Sequence, residues 1–176
     1  MDVATTAVVI SLVVIVLLVV LMALGWRNRQ VRQQGLQAPT SPPEDPGAPL
    51  YAAEGQYVVT TTGGDWLDRV TAHGLGNKAT ATAAVYPHGL LFDRTGDSDV
   101  YIARENLTDV RLERGMAGKF VEKDGLVVVS WTMDSQLFDT GFRTRYSADK
   151  TQLLAAVSAL IEDTDPLTNP TSKEIQ

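Results

Sequence analysis

The sequence predicts an N-terminal transmembrane α-helix followed by one small, mainly β domain on a loose tether. Three observations carry that prediction. No charged residue occurs from Val3 to Trp26. Five prolines crowd positions 39, 42, 43, 46 and 49. From Leu50 to about Thr164, short apolar runs are broken by turn residues, and the last run changes to helical spacing.

Composition bounds what the chain does. Its 176 residues allow one ordinary domain plus accessory segments. Lys and Arg number 15 against 21 Asp and Glu, a formal net charge of -6. That balance argues against nucleic acid as a partner, because neutralising phosphates needs a clustered basic face. Cysteine is absent, which removes disulfides, thiol nucleophiles and thiolate metal sites together.

Residues 3–26 form the expected transmembrane helix. About 20 apolar residues in helical form span roughly 30 Å, the thickness of a bilayer's hydrocarbon core. A buried core helix of this length would carry a polar face, and this run has none. A cleaved signal peptide begins with basic residues, whereas this chain begins Met1-Asp2. Trp26, Arg27, Arg29 and Arg32 form the membrane flank. The positive-inside rule then places the N-terminus outside the cell membrane and the domain in the cytoplasm, in a single pass.

Residues 27–49 combine that basic flank with a proline-rich linker. Repeated proline and a lack of apolar residues favour an extended spacer reaching up to about 50 Å. The polar stretch 165–176 reads as a disordered tail.

The domain occupies 50–164. Tyr57 to Thr61 reads as a strand, and Asp65 to Val70 as a short helix with Asp65 as cap, Trp66, Leu67 and Val70 on one face, and Gly74 as stop. Thr80 to Tyr86, Gly89 to Asp93, Val100 to Ile102 and Leu107 to Glu113 read as further strands, the first two joined by the Tyr86-Pro87-His88-Gly89 turn. Phe120 to Lys123 and Leu126 to Met133 flank Asp124-Gly125, which predicts a two-residue hairpin. Leu137 to Tyr146 supplies another strand, with Phe138, Phe142 and Tyr146 available to the core, and Trp131 is read as core too. After Ser147 as N-cap, Leu153, Leu154, Val157, Leu160 and Ile161 recur at spacings of three and four, an amphipathic closing helix. About seven strands of this kind must curl or pair face to face, with the helix covering an open end.

That order resembles the pleckstrin-homology-like (PH-like) superfold. The stretches WLDRVTAHGLG (66–76), GMAGKF (115–120) and GLVVVSWTMDSQLFDTGFRTR (125–145) are similar to the single-pass membrane proteins of actinobacteria that carry a bacterial PH-like domain. The resemblance implies a fold more than an activity. Eukaryotic relatives bind phosphoinositides through basic residues after the first strand. Here Gly63 to Arg69 holds two acids and one base, which departs from that pattern.

Catalytic and cofactor motifs are missing. His73 and His88 lack any His or Glu spaced to share a metal or a proton. The run DRTGDSD (93–99) does not match a calcium loop, and neither a phosphate-cradling glycine loop nor a nucleophile elbow occurs. No catalytic residue, cofactor, metal or small-molecule substrate is therefore expected. Asn106-Leu107-Thr108 matches a glycosylation triplet, which has no meaning for a cytoplasmic domain.

Two surfaces are candidates for contact with a partner or lipid. One is basic: Arg111, Arg114, Lys119 and Lys123, with Arg143 and Arg145 if neighbouring strands bring them together. The other is the loop Gly115 to Gly118, with Met116 at its tip. The function expected is non-enzymatic: a membrane-anchored module that recruits a membrane-proximal protein at the inner face. The alternatives are peripheral binding of anionic lipid and an accessory role in a membrane transport complex.

Overall fold

Tyr57 followed by two valines and three threonines favours a strand, and in the computed structural model that strand is the pivot of the sheet. The structure describes residues 3–120, 122 and 124–163, with side chains at all of these except 3–9, 26–34, 119 and 120. The expected tail, 165–176, lies outside the described residues. The chain divides into two units, Met1–Leu36 and Gln37–Gln176.

The first unit is one helix, α1 (Val3–Gln34, 32 residues). The sequence reading ended it at Trp26. The backbone stays helical because Arg27 to Gln34 contains no Gly or Pro and is rich in good helix formers, and Gly35 follows as a stop. The large apolar side chains between Ile10 and Leu24 are exposed on every face. Among the described residues no helix is long and apolar enough to cross a membrane, the side chains described in α1 being those of 10–25. Residues 35–50 hold neither helix nor strand.

The second unit is built on β1 (Tyr51–Thr62), β2 (Ala79–Tyr86), β3 (Gly89–Arg94), β4 (Val100–Ala103), β5 (Leu107–Glu113), β6 (Gly115–Met116), β7 (Lys119–Phe120), β8 (Leu126–Met133), β9 (Gln136–Thr144) and α2 (Ser147–Glu162). Seven strands form one antiparallel sheet in the order β4-β3-β2-β1-β9-β8-β5, and β6 and β7 form a small second one. The first half of β1 pairs with β2 and its second half with β9, with a bulge at Val58 between the Tyr57 and Val59 pairings. A bulge bends its strand and steepens the twist, so β1 serves both halves of a strongly coiled sheet. The core holds Tyr57, Phe92, Trp131, Phe138 and Phe142. Leu153, Val157 and Leu160 of α2 are buried as α2 packs on β5, β1 and β9. The expected mainly β domain with a closing helix is the fold observed.

Four local expectations are corrected. β1 begins at Tyr51, six residues early, because pairing with β2 overrides the weak strand propensity of Ala52 to Gln56. Asp65 to Val70 is not a helix. Gly63 and Gly64 turn the chain back against β1, where the Val70 N–H donates to Thr60 O (3.0 Å) and the Thr62 N–H donates to Asp68 O (2.9 Å). Six residues cannot repay helix nucleation against that pairing. Asp124-Gly125 does not join a hairpin, since β8 pairs with β5 and β9 while β7 pairs with β6. The two-residue hairpin lies instead at Asp134-Ser135, where Met133 faces Gln136 and both turn residues have positive φ (50° and 63°). Ser147 is the first helical residue of α2, and Tyr146 holds the cap position without a side-chain bond.

Candidate functional site

Alternation along a strand sends Asp109, Arg111 and Glu113 of β5 to one face, away from the core. The register places Asp109 opposite Ser130 of β8, and Ser130 opposite Asp139 of β9. Arg111 reaches diagonally across that row. Its Nη2 donates to Asp139 Oδ2 (3.0 Å) and its Nη1 to Ser130 Oγ (2.6 Å), while Nε bonds to Glu113 (3.2 Å). Ser130 Oγ donates to Asp139 Oδ1 (2.5 Å), and the Gly64 amide to Asp139 Oδ2 (3.3 Å). Partial burial works against the Arg111 charge, but the bond to Asp139 and its charge outweigh burial and raise the pKa. The result is a satisfied polar network rather than a vacant cation.

The β6–β7 hairpin folds over this face. Met116 is buried with Val58, Val59, Leu126 and Val128, so the expectation of an exposed Met116 tip is corrected. The reason is a lock between loops: the Ala117 amide donates to Trp66 O (2.7 Å), drawing the hairpin down. Gly141, lacking a Cβ, leaves room for the Met116 sulfur. Between hairpin, sheet and the 64–66 turn lies a pocket of about 330 Å³ lined by Gly64, Trp66, Arg111, Arg114, Met116 and Asp139. Arg114 is exposed at its rim. The Lys119 side chain and Lys123 lie outside what the structure describes, as do the side chains of Trp26, Arg27, Arg29 and Arg32.

Arg143 and Arg145 do not join that group. They line a separate polar groove of about 890 Å³ with Glu54, Gln56, Glu122 and Lys150, at the start of α2. Arg143 Nη2 bonds both Glu122 oxygens (3.1 and 2.9 Å), and Arg145 Nη1 bonds Glu54 (3.1 Å). A hydrogen bond from its own backbone, and then Arg143, hold the Glu122 carboxyl below the usual range. The strands do not bring Arg143 and Arg145 to Arg111 and Arg114, and Arg111, Arg143 and Arg145 are each held by a carboxylate.

Inside the sheet runs a polar ladder that sequence reasoning did not foresee. Tyr57 OH pairs with Thr60 Oγ1 (2.5 Å), Thr60 with Thr140 (2.7 Å), and the Trp131 indole donates to Thr140 (2.9 Å). Burial pushes the Tyr57 hydroxyl up to about 12. Beside it, buried Arg94 lies 4.7 Å over the Tyr57 ring, donates to Ser98 O (2.6 Å) and Gly74 O (2.8 Å), and so ties the β3–β4 and β1–β2 loops together. Asn77 caps that junction by bonding Asp97, which with the Ser98 amide lowers the Asp97 pKa. His73 has positive φ (53°) in the β1–β2 connection, and His88 stacks on Tyr86 (5.5 Å). Among the described residues no group of His, Asp and Glu is arranged to hold a metal ion.

Three exposed apolar residues were also missed. Trp66 and Leu67, which the sequence placed on a packed helix face with Val70, are exposed in the 63–68 turn, and Leu137 is exposed beside them. The double glycine at 63 and 64 was the signal, because it favours a turn over a helix start.

A family model described as "Bacterial PH domain-like" matches residues 36–158. No curated protein matches the chain. Among solved structures, a chain of the 8S snRNP assembly intermediate aligns at 11% identity over 78% of this chain and 95% of that one, with a TM-score of 0.47. The C-terminal domain of an unknown protein from Leishmania infantum aligns at 13% identity, 80% and 97% coverage and a TM-score of 0.39. Vav1 inhibited by an allosteric inhibitor aligns at 18% identity, covering 68% of this chain and 28% of that one, with a TM-score of 0.40.

Proposed function

The chain belongs to the bacterial PH domain-like family, and on that premise we propose that it is a non-enzymatic module that holds a protein partner at the inner face of a membrane. The observation that carries protein over lipid is the pairing of three of the candidate arginines. Arg111 is held by Asp139, Arg143 by Glu122 and Arg145 by Glu54. An anionic headgroup must displace those carboxylates, and the chain's net charge of -6 opposes its approach. Peripheral binding of anionic lipid is the weaker reading on the same observation.

The anchor rests on sequence and helix together. The uncharged run from Val3 to Trp26 sits within one continuous helix, and the arginines at 27, 29 and 32 follow it on one side. Hydropathy and the positive-inside rule then favour a single pass of the cell membrane with the domain in the cytoplasm. The proline-rich segment serves as spacer, and no cofactor or small-molecule substrate takes part. An actinobacterial source fits the resemblance of the quoted stretches.

In-cell crosslinking and affinity capture test the reading, comparing the full chain with a chain ending at Pro49. Proteins captured only by the full chain are the expected partners. Identical captures from both overturn protein recruitment.

A further inference from the structure

Five large apolar side chains of the domain are exposed among the described residues: Leu50, Trp66, Leu67, Leu137 and Tyr146. Three of them meet at one end of the sheet. The Gly63 amide donates to Leu137 O (2.7 Å), and a Cβ on Gly63 would strike the Leu137 side chain, so the turn that carries Trp66 and Leu67 starts against Leu137. Trp66 is 46% exposed, Leu67 57% and Leu137 43%, which leaves three large apolar side chains in water at this end of the sheet.

The tip is held in place rather than left loose. Thr62 closes the turn through its amide to Asp68 O and its hydroxyl to the Asp68 carboxylate (2.9 Å). Asp65 accepts from the Leu67 amide (3.1 Å), and Ala117 pins Trp66 O from the hairpin side. Ordering a loop so as to expose two apolar residues runs against stability, and it is the arrangement that lowers the entropy lost on binding. Tryptophan supplies much of the binding energy in protein interfaces.

Charge selects the occupant. Asp65 and Asp134 are exposed beside the tip, whereas Asp68 and Asp139 are buried and already bonded to Thr62 and Arg111, and Arg114 is exposed on the Trp66 side. The two exposed carboxylates disfavour anionic lipid at the tip and complement Lys or Arg. We propose that Trp66, Leu67 and Leu137 form the docking surface for a protein partner that presents an apolar patch bordered by basic residues. The inference rests on the recruitment reading and adds to it a place and a chemistry.

The test uses the full chain in its own membrane, with the photo-crosslinker benzoylphenylalanine placed at position 67, 137 or, as control, 146. One discrete protein adduct is expected from 67 and 137, about tenfold weaker from 146, with basic residues bordering the attached site on the partner. Asp65→Lys together with Asp134→Lys is expected to cut that adduct by at least about fivefold. Should that pair fail to fold, as judged by thermal unfolding, Asp65→Asn with Asp134→Asn takes its place. A protein adduct from 146 alone overturns the tip while recruitment stands. A phospholipid adduct or an adduct to a second copy of this chain also overturns it, as does a protein adduct insensitive to charge reversal. No adduct at any position, combined with identical captures from the full chain and the chain ending at Pro49, removes both readings.

Discussion

Asp139 is almost wholly buried on the outer face of the sheet, with three donors around it: Arg111, Ser130 and the Gly64 amide. Replacing it by Ala strands those donors and leaves Arg111 without its closest partner. A fully buried pair broken in this way loses about 3–5 kcal/mol. Arg111 is partly exposed and keeps Glu113 and Asp109, so Asp139→Ala is expected to cost about 2 kcal/mol, read as a lowered urea midpoint at unchanged slope. Tyr57 gives a pH prediction. Its hydroxyl pKa is raised from 10.0 to about 12 by burial, so its contribution is complete below about pH 10 and is lost as pH rises toward 12. Wild-type stability between pH 9 and about 11.5 should therefore fall more steeply than that of Tyr57→Phe, in urea titrations at each pH. If both fall alike, the buried hydroxyl is not the group responsible. Arg111 was nameable from sequence, whereas Asp139 was not, since 28 residues separate them and only the β5–β8–β9 register brings them together. Met116 misled for a related reason: glycines on both sides of it look like an exposed tip, and the burial comes from a distant loop.

At the level of elements, β1 depends on an absence of side chain. A Cβ at Gly55 would lie 2.2 Å from the Arg143 carbonyl and 2.8 Å from the Phe142 ring, neither of which can yield without shifting β9. Gly55→Ala is expected to cost about 3 kcal/mol, measured by thermal or urea unfolding. Gly141→Ala meets only the flexible ends of Met116 and Leu126 and is expected to cost about 1 kcal/mol. The β8–β9 hairpin leaves room for improvement. Asp134 and Ser135 both sit at positive φ, a geometry that Asn-Gly adopts with least strain. Asp134→Asn with Ser135→Gly should raise stability by about 1 kcal/mol, and no gain would mean that the turn is not strained. Most strands and α2 were legible because their periods are local. The Asp124-Gly125 hairpin failed because a turn dipeptide states only that the chain can reverse, not which strands then pair. The helix expected at 65–70 failed because Gly63 and Gly64 favour a turn whose ends bond to β1, burying Val70 but leaving Trp66 and Leu67 exposed.

At the scale of the whole molecule, the sequence separates two materials, an apolar run and a polar folded domain, and the question is whether the run anchors the domain. The 24 residues from Val3 to Trp26 rise about 36 Å as a helix, enough to cross roughly 30 Å of hydrocarbon with a modest tilt. Removing that many Val, Leu and Ile side chains from water favours insertion, and the arginines at 27, 29 and 32, on roughly two helical turns beyond Trp26, resist crossing. The full chain and the chain ending at Pro49 should both stay with the membrane pellet through an alkaline carbonate wash. A chain beginning at Gln37 should be released, since α2 packs on its sheet and Arg111, Arg143 and Arg145 are each held by a carboxylate. Protease added from outside should then remove an N-terminal tag and spare the domain. Release of the full chain by carbonate would show that the helix only lies on the surface. Retention of the Gln37 chain would move the membrane contact into the domain itself, and the recruitment reading would give way to one of lipid recognition.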